Sequence, residues 1–261
     1  MTKVLVAAGG FITLLSLSLA YSFHYNHFFE FLLLGLLLLL IPTISAELRS
    51  RGKIILLYVV FLMGGLAVEF SGLRLAHAWH YNYDSLVEYI LLFAWAYPAG
   101  GFIIVLSYLY GRKVFGAKET PATEVRQNPV RIAKVICIAS TILTLYFFAN
   151  LHSRFSIVLG SYSFLLVVCA MLSIISERRS HSSFVRDFLQ NWRATLVAAL
   201  SATYVFMLIQ ELPNIAAKQW AYTWQTSTIL DSLFLGIPLA TWLLWPFLVF
   251  GTVAVLYATR K

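Results

Sequence analysis

Two stretches of the chain place a carboxylate ahead of a set of aromatic rings. "AVEFSGLRLAHAWHYNY" (Ala67 to Tyr83) carries Glu69, then Trp79, Tyr81 and Tyr83. "IQELPNIAAKQWAYTW" (Ile209 to Trp224) carries Glu211, then Trp220, Tyr222 and Trp224. The Glu-to-Trp spacing is ten residues in the first and nine in the second. An acid facing electron-rich rings suits carbocation chemistry: a protonated carboxyl gives its proton to an alkene, and ring faces stabilise the cation. An apolar setting is expected to raise the pKa of such a Glu and keep its proton available. Trp and Tyr also collect at membrane interfaces without any chemistry. What sets these rings apart is their fixed phase with the Glu, given twice.

The elements that position them are membrane helices. Of 261 residues, 60% are hydrophobic and 11% charged, far from the quarter charged that is usual for globular domains. A span needs about 20 apolar residues. Eight stretches qualify: roughly 4–23, 28–45, 54–72, 86–110, 133–151, 155–176, 194–212 and 228–258. The first has some features of a signal peptide and is expected to be retained as a span. No barrel-like alternation is present, so the spans are expected to be helices.

Eight spans put both termini and the loops 46–53, 111–132 and 177–193 on one side. That side holds sixteen of the nineteen Lys and Arg; Arg74, Arg154 and Lys218 lie on the other. The positive-inside rule therefore predicts cytoplasmic termini. The net charge of +8 reads as topology and contact with anionic lipid, with no need of a nucleic-acid partner. Cys137 and Cys169 fall within spans as inert thiols.

The two motifs extend into a repeat. Pro98 follows Trp79 by nineteen residues and Pro238 follows Trp220 by eighteen; Gly111 and Gly251 each follow their proline by thirteen. The expectation is an all-α membrane fold of eight helices in two parallel four-helix repeats, related by an axis along the membrane normal. The first repeat covers 1–110, a cytoplasmic linker 111–132 and the second repeat 133–261.

Six of the eleven acids gather at the extracytoplasmic ends of the spans: Glu30, Glu69, Asp84, Glu88, Glu211 and Asp231. Glu47, Glu119, Glu124, Glu177 and Asp187 read as residents of cytoplasmic loops. Glu88 and Asp231 open spans four and eight, where a first-turn acid is favoured in any case. Glu69 and Glu211 end their helices, where the dipole disfavours an anion, so function is the stronger reading there. Two H-x-x-H pairs, His24 with His27 and His77 with His80, are too sparse for a metal centre. No metal or organic cofactor is expected.

An acid about ten residues before Trp-x-Tyr, followed by a Pro-led helix and given twice, resembles the integral-membrane carotenoid-biosynthesis superfamily. That family includes the membrane lycopene cyclases and carotenoid hydratase-type proteins, and fungal membrane terpene cyclases share the layout. The family places carboxylates directly after the proline; here those places read "PAGG" (Pro98 to Gly101) and "PLAT" (Pro238 to Thr241). The resemblance implies a lipophilic isoprenoid substrate drawn from the bilayer. It implies acid-catalysed cyclisation or a related protonation or hydration, with Glu69 or Glu211 as the acid in place of the absent ones. Glu88 and Asp231 join the catalytic candidates. Trp79, Tyr81, Tyr83, Trp95, Trp220, Tyr222 and Trp224 form the expected substrate-binding wall. The reading from another class is a carrier or lipid-binding protein with a carboxylate-lined cavity.

Overall fold

The computed structural model describes residues 2–25, 27–43, 48, 50–75, 77–116, 128–150, 154–223 and 228–259. Among these, seven helices are long and apolar enough to cross a membrane. The chain is a multi-pass, all-α membrane protein.

The helices are α1 (Thr2–Phe23), α2 (Phe28–Leu40), α3 (Arg51–Glu69), α4 (Leu86–Leu91), α5 (Tyr97–Val114), α6 (Pro129–Ala149), α7 (Arg154–Ser180), α8 (Phe184–Gln190), α9 (Trp192–Ala217) and α10 (Leu239–Ala258). The 13 residues of α2 span about 20 Å at 1.5 Å each, short of the ~30 Å of hydrocarbon. This differs from the expected span 28–45. Two π-helical turns interrupt the first half, Phe70–Leu75 after α3 and Leu92–Ala96 between α4 and α5.

The centre of the bundle is built by α5, α9 and α10, with Ala99, Ile103, Ala198, Ala202, Phe206, Val249, Val253 and Ala254 in one apolar cluster. Lipid tails are as apolar as Leu, so close backbone approach replaces the hydrophobic drive. Gly111 shows this: a Cβ there would lie 3.2 Å from the Ala198 Cα. Around this core α1 and α2 pair as one hairpin and α6 and α7 as another, while α3 rests on α5.

Three expectations need correction. Helix α10 begins at Leu239, not 228. Asp231 lies eight residues ahead of it in the 3₁₀ turn Ile229–Asp231 and does not open the span. Between them stands a hairpin of β3 (Leu233–Phe234) and β4 (Ile237–Pro238), whose turn residues Leu235 and Gly236 both have positive φ (53° and 77°), as a primed two-residue turn demands. The 111–132 linker is shorter than expected, because α5 runs to Val114 and α6 starts at Pro129 behind an Asn128 cap; residues 117–127 lie outside the described residues. Finally, Glu177 and Asp187 are buried within α7 and α8, not loop residents.

Gly72 makes a packing prediction. A Cβ built there would meet the Trp79 ring at 1.8 Å. Gly72→Val is expected to expel the indole at a cost of about 1–3 kcal/mol. A red-shifted tryptophan emission with a lowered melting temperature would register this; an unchanged spectrum would refute it.

Candidate functional site

The two motifs meet at one end of the bundle. Strand β1 (Trp79–Tyr81) pairs antiparallel with β2 (Trp220–Tyr222), in the register Trp79 to Tyr222, His80 to Ala221 and Tyr81 to Trp220. The ladder thus sets each Trp opposite the other motif's Tyr. Further bonds lengthen it, from Asn82 N–H to the Gln219 carbonyl at 2.9 Å and from Thr223 N–H to the Ala78 carbonyl at 2.8 Å.

Each motif closes on its own Glu. The Trp79 indole N–H donates to Glu69 Oε2 at 3.2 Å and the Tyr81 hydroxyl donates to Oε1 at 2.6 Å. The Trp220 indole donates to Glu211 Oε2 at 3.2 Å and the Tyr222 hydroxyl to Oε1 at 2.5 Å. Both carboxylates are 2% exposed. They face the indole N–H and phenol O–H edges of the rings. Burial pushes the hydroxyls of Tyr81 and Tyr222 well above the usual phenol range, and the adjacent carboxylate adds to it. Both phenols therefore remain proton donors.

The unequal spacing has a structural cause. The π-helical turn Phe70–Leu75 directly follows Glu69, and a π turn carries extra chain relative to an α turn. The second motif continues instead as α-helix through Pro213. The ten-residue spacing and the nine-residue spacing both bring the indole back onto the carboxylate.

A third carboxylate, absent from the site expected from sequence, joins the same end. Glu30 in the first turn of α2 accepts from Gln219 Nε2 at 3.0 and 3.1 Å and from the Tyr83 hydroxyl at 3.3 Å. Gln219 also donates to the Tyr83 oxygen at 2.8 Å and accepts from Phe29 N–H at 3.2 Å. Trp95 donates to the Glu30 carbonyl at 3.3 Å. Tyr83 stacks on Tyr81 with ring centroids 5.0 Å apart, which links this triangle to the Glu69 clasp. Burial raises the Tyr83 hydroxyl above the usual range as well.

Of the remaining candidates, Glu88 is a helix cap. It closes a capping box with Ser85 and pairs with His27 at 2.9 Å on the rim, as the first-turn reading expects. Asp231 is placed in its turn before β3. Trp224 lies outside the described residues. His24 turns to the Ala216 carbonyl at 3.1 Å, away from the His27–Glu88 pair.

The opposite end holds a second polar group. Arg112 pairs with Asp187 at 2.7 Å and donates to the Tyr257 hydroxyl at 3.0 Å, while Tyr257 donates to Asp187. Glu177 receives Arg186 and, at 2.9 Å, the Ser183 hydroxyl. Comparison of the chain with family models, with curated proteins and with solved structures finds no match in any of the three.

Proposed function

We propose that this protein is a membrane enzyme, of isomerase or lyase type, that modifies a long isoprenoid such as a carotenoid or terpene taken from the bilayer. The observation that carries the reading is the doubled clasp, in which a buried Glu is held by a Trp and a Tyr at the end of a membrane helix. A protonated Glu gives its proton to one alkene carbon, whose π electrons form the new C–H bond. The cation left on the neighbouring carbon is stabilised by ring faces. An internal alkene or a water then attacks the cation, and loss of a proton to the carboxylate restores the acid. Protons and electrons balance without a cofactor.

In this reading the chain is two parallel four-helix repeats, one ending with α5 at Val114 and the other starting with α6 at Pro129, joined by a cytoplasmic linker. Helix α2, with the 3₁₀ turn Ile41–Thr43 that follows it, serves as a short second span, for eight crossings in all. The antiparallel β1–β2 pairing of like motifs supports that arrangement, since a two-fold axis through such a pair exchanges them. Membrane lipids are the surrounding partners. A carrier would need a polar path between the ends; the apolar packing of Ala99, Phe206, Val249 and Val253 between them favours the enzyme.

Extraction of pigments and quinones from expressing cells, with and without an isoprenoid supply, tests the reading. A product that depends on both Glu69 and the supply is expected. A profile identical for the wild type and Glu69→Gln would refute it. Orientation has its own test. With sixteen Lys and Arg on the terminal side against three, a reporter fused at Lys261 is expected to work only in the cytoplasm. Activity outside would reverse the topology.

A further inference from the structure

The two clasps share chemistry but not construction. In the second, Asn214 locks the turn: its Nδ2 donates to the Trp220 carbonyl at 2.8 Å, and its Oδ1 accepts from Trp220 N–H at 3.0 Å. Trp220 is 7% exposed, stacked on Phe28 and edge-on to Phe29. In the first, the chain leaves Glu69 through the π turn Phe70–Leu75, whose Gly72 lies flat against a half-buried Trp79. Turns of this kind are rare and recur at functional sites. Conversion of that turn to α-helix would shift its register by one residue and draw Trp79 off Glu69. The Tyr81 hydroxyl then has a second partner in the Tyr97 hydroxyl, 3.4 Å away.

We infer that the clasps divide the work: the Glu69 clasp opens to admit the hydrocarbon chain of a long polyene, and the Glu211 clasp is a fixed brace. This rests on the enzyme reading for the identity of the ligand, but not for the difference in construction. Both clasps adjoin the Tyr83–Gln219–Glu30 triangle, the first through stacked Tyr81 and the second through Gln219, which directly precedes Trp220. The π turn is tied to the ladder by the Ala78 N–H, which donates to the Gly72 carbonyl at 2.8 Å. An opening of the Glu69 clasp breaks that bond, while the β1–β2 backbone bonds pass through neither carboxylate and can persist.

Hydrogen–deuterium exchange on the full chain in dodecyl maltoside micelles tests this, with lycopene or squalene as the probe. Amides of Phe70–Leu75 are expected to exchange about tenfold faster or more than those of 214–217, as befits a locally openable segment. Either hydrocarbon should slow the first segment and leave the second unchanged. Gly72→Ala, which crowds Trp79, should raise exchange of the first segment without the hydrocarbon. Equal exchange in the free protein, or protection that is absent or falls on 214–217, overturns the division of work. The enzyme reading fails separately, if Glu69→Gln leaves the isoprenoid profile unchanged while the exchange difference persists.

Discussion

Replacement of Glu69 by Gln is expected to lower isoprenoid turnover by ~10²–10⁴-fold per folded molecule, the usual worth of a positioned acid or base. Gln keeps the length and shape of Glu and can still accept from one of its two donors. Its Nε2 then faces the other donor, so one bond of the clasp, worth about 1 kcal/mol, is lost. The fold survives that loss; the exchangeable carboxyl proton does not. Tyr81→Phe separates proton handling from packing. It leaves the acid, the stacked ring and Trp79, and removes the hydroxyl that lies between Glu69 and Tyr97 at 2.6 and 3.4 Å. A partial loss of turnover is expected there, with the melting temperature close to that of the wild type. Chromatography of extracted isoprenoids, normalised to folded protein, gives the number. Full turnover by Glu69→Gln would leave the clasp as a structural latch.

The ease of reading this site from sequence depended on range. Glu69, Trp79 and Tyr81 lie within thirteen residues, and Glu211, Trp220 and Tyr222 within twelve. Their hydrogen bonds are local, and a local pattern repeated twice carries its own geometry. The helices were legible for the same reason, as uninterrupted apolar runs need no partner to be recognised. The Glu30–Gln219 bond joins residues 189 apart, and nothing near either one announces the other. Glu30 reads as an ordinary first-turn acid. The β1–β2 ladder was hidden as well, because three residues are too few for an alternating pattern to register. In the sequence the π turn shows only as one extra residue between Glu69 and Trp79. Ahead of α10, the apolar character of Ile229, Leu230, Leu233, Phe234 and Leu235 suggested helix. Gly236 and Pro238 mark the hairpin that stands there instead, with Pro placed where a short edge strand tolerates its missing donor.

The charges at the other end were misread because a charge between apolar runs is normally solvated. Asp187→Ala is expected to destabilise the protein by about 3–5 kcal/mol, the cost of orphaning one member of a buried ion pair. Both side chains of the Arg112–Asp187 pair are only 13% exposed. Arg112 ends α5 and Asp187 starts α8, so each sits where its helix dipole favours it. The Tyr257 hydroxyl accepts from Arg112 and donates to Asp187, and Tyr108 approaches it at 3.3 Å. Loss of the carboxylate therefore strands a guanidinium and a phenol together, and frees the ends of α5, α8 and α10 from one another. In detergent the melting temperature should fall by roughly 10 °C, at 2–4 °C per kcal/mol for chains approaching this length. Pairing Asp187→Leu with Arg112→Met should recover most of the loss, since removing both charges leaves neither unsatisfied. Glu88→Gln provides the contrast, because the His27–Glu88 pair sits on the rim, where water can replace either partner. A shift for Asp187→Ala no larger than for Glu88→Gln would mean that water reaches the Arg112 guanidinium. The three helix ends would then be held by apolar packing alone.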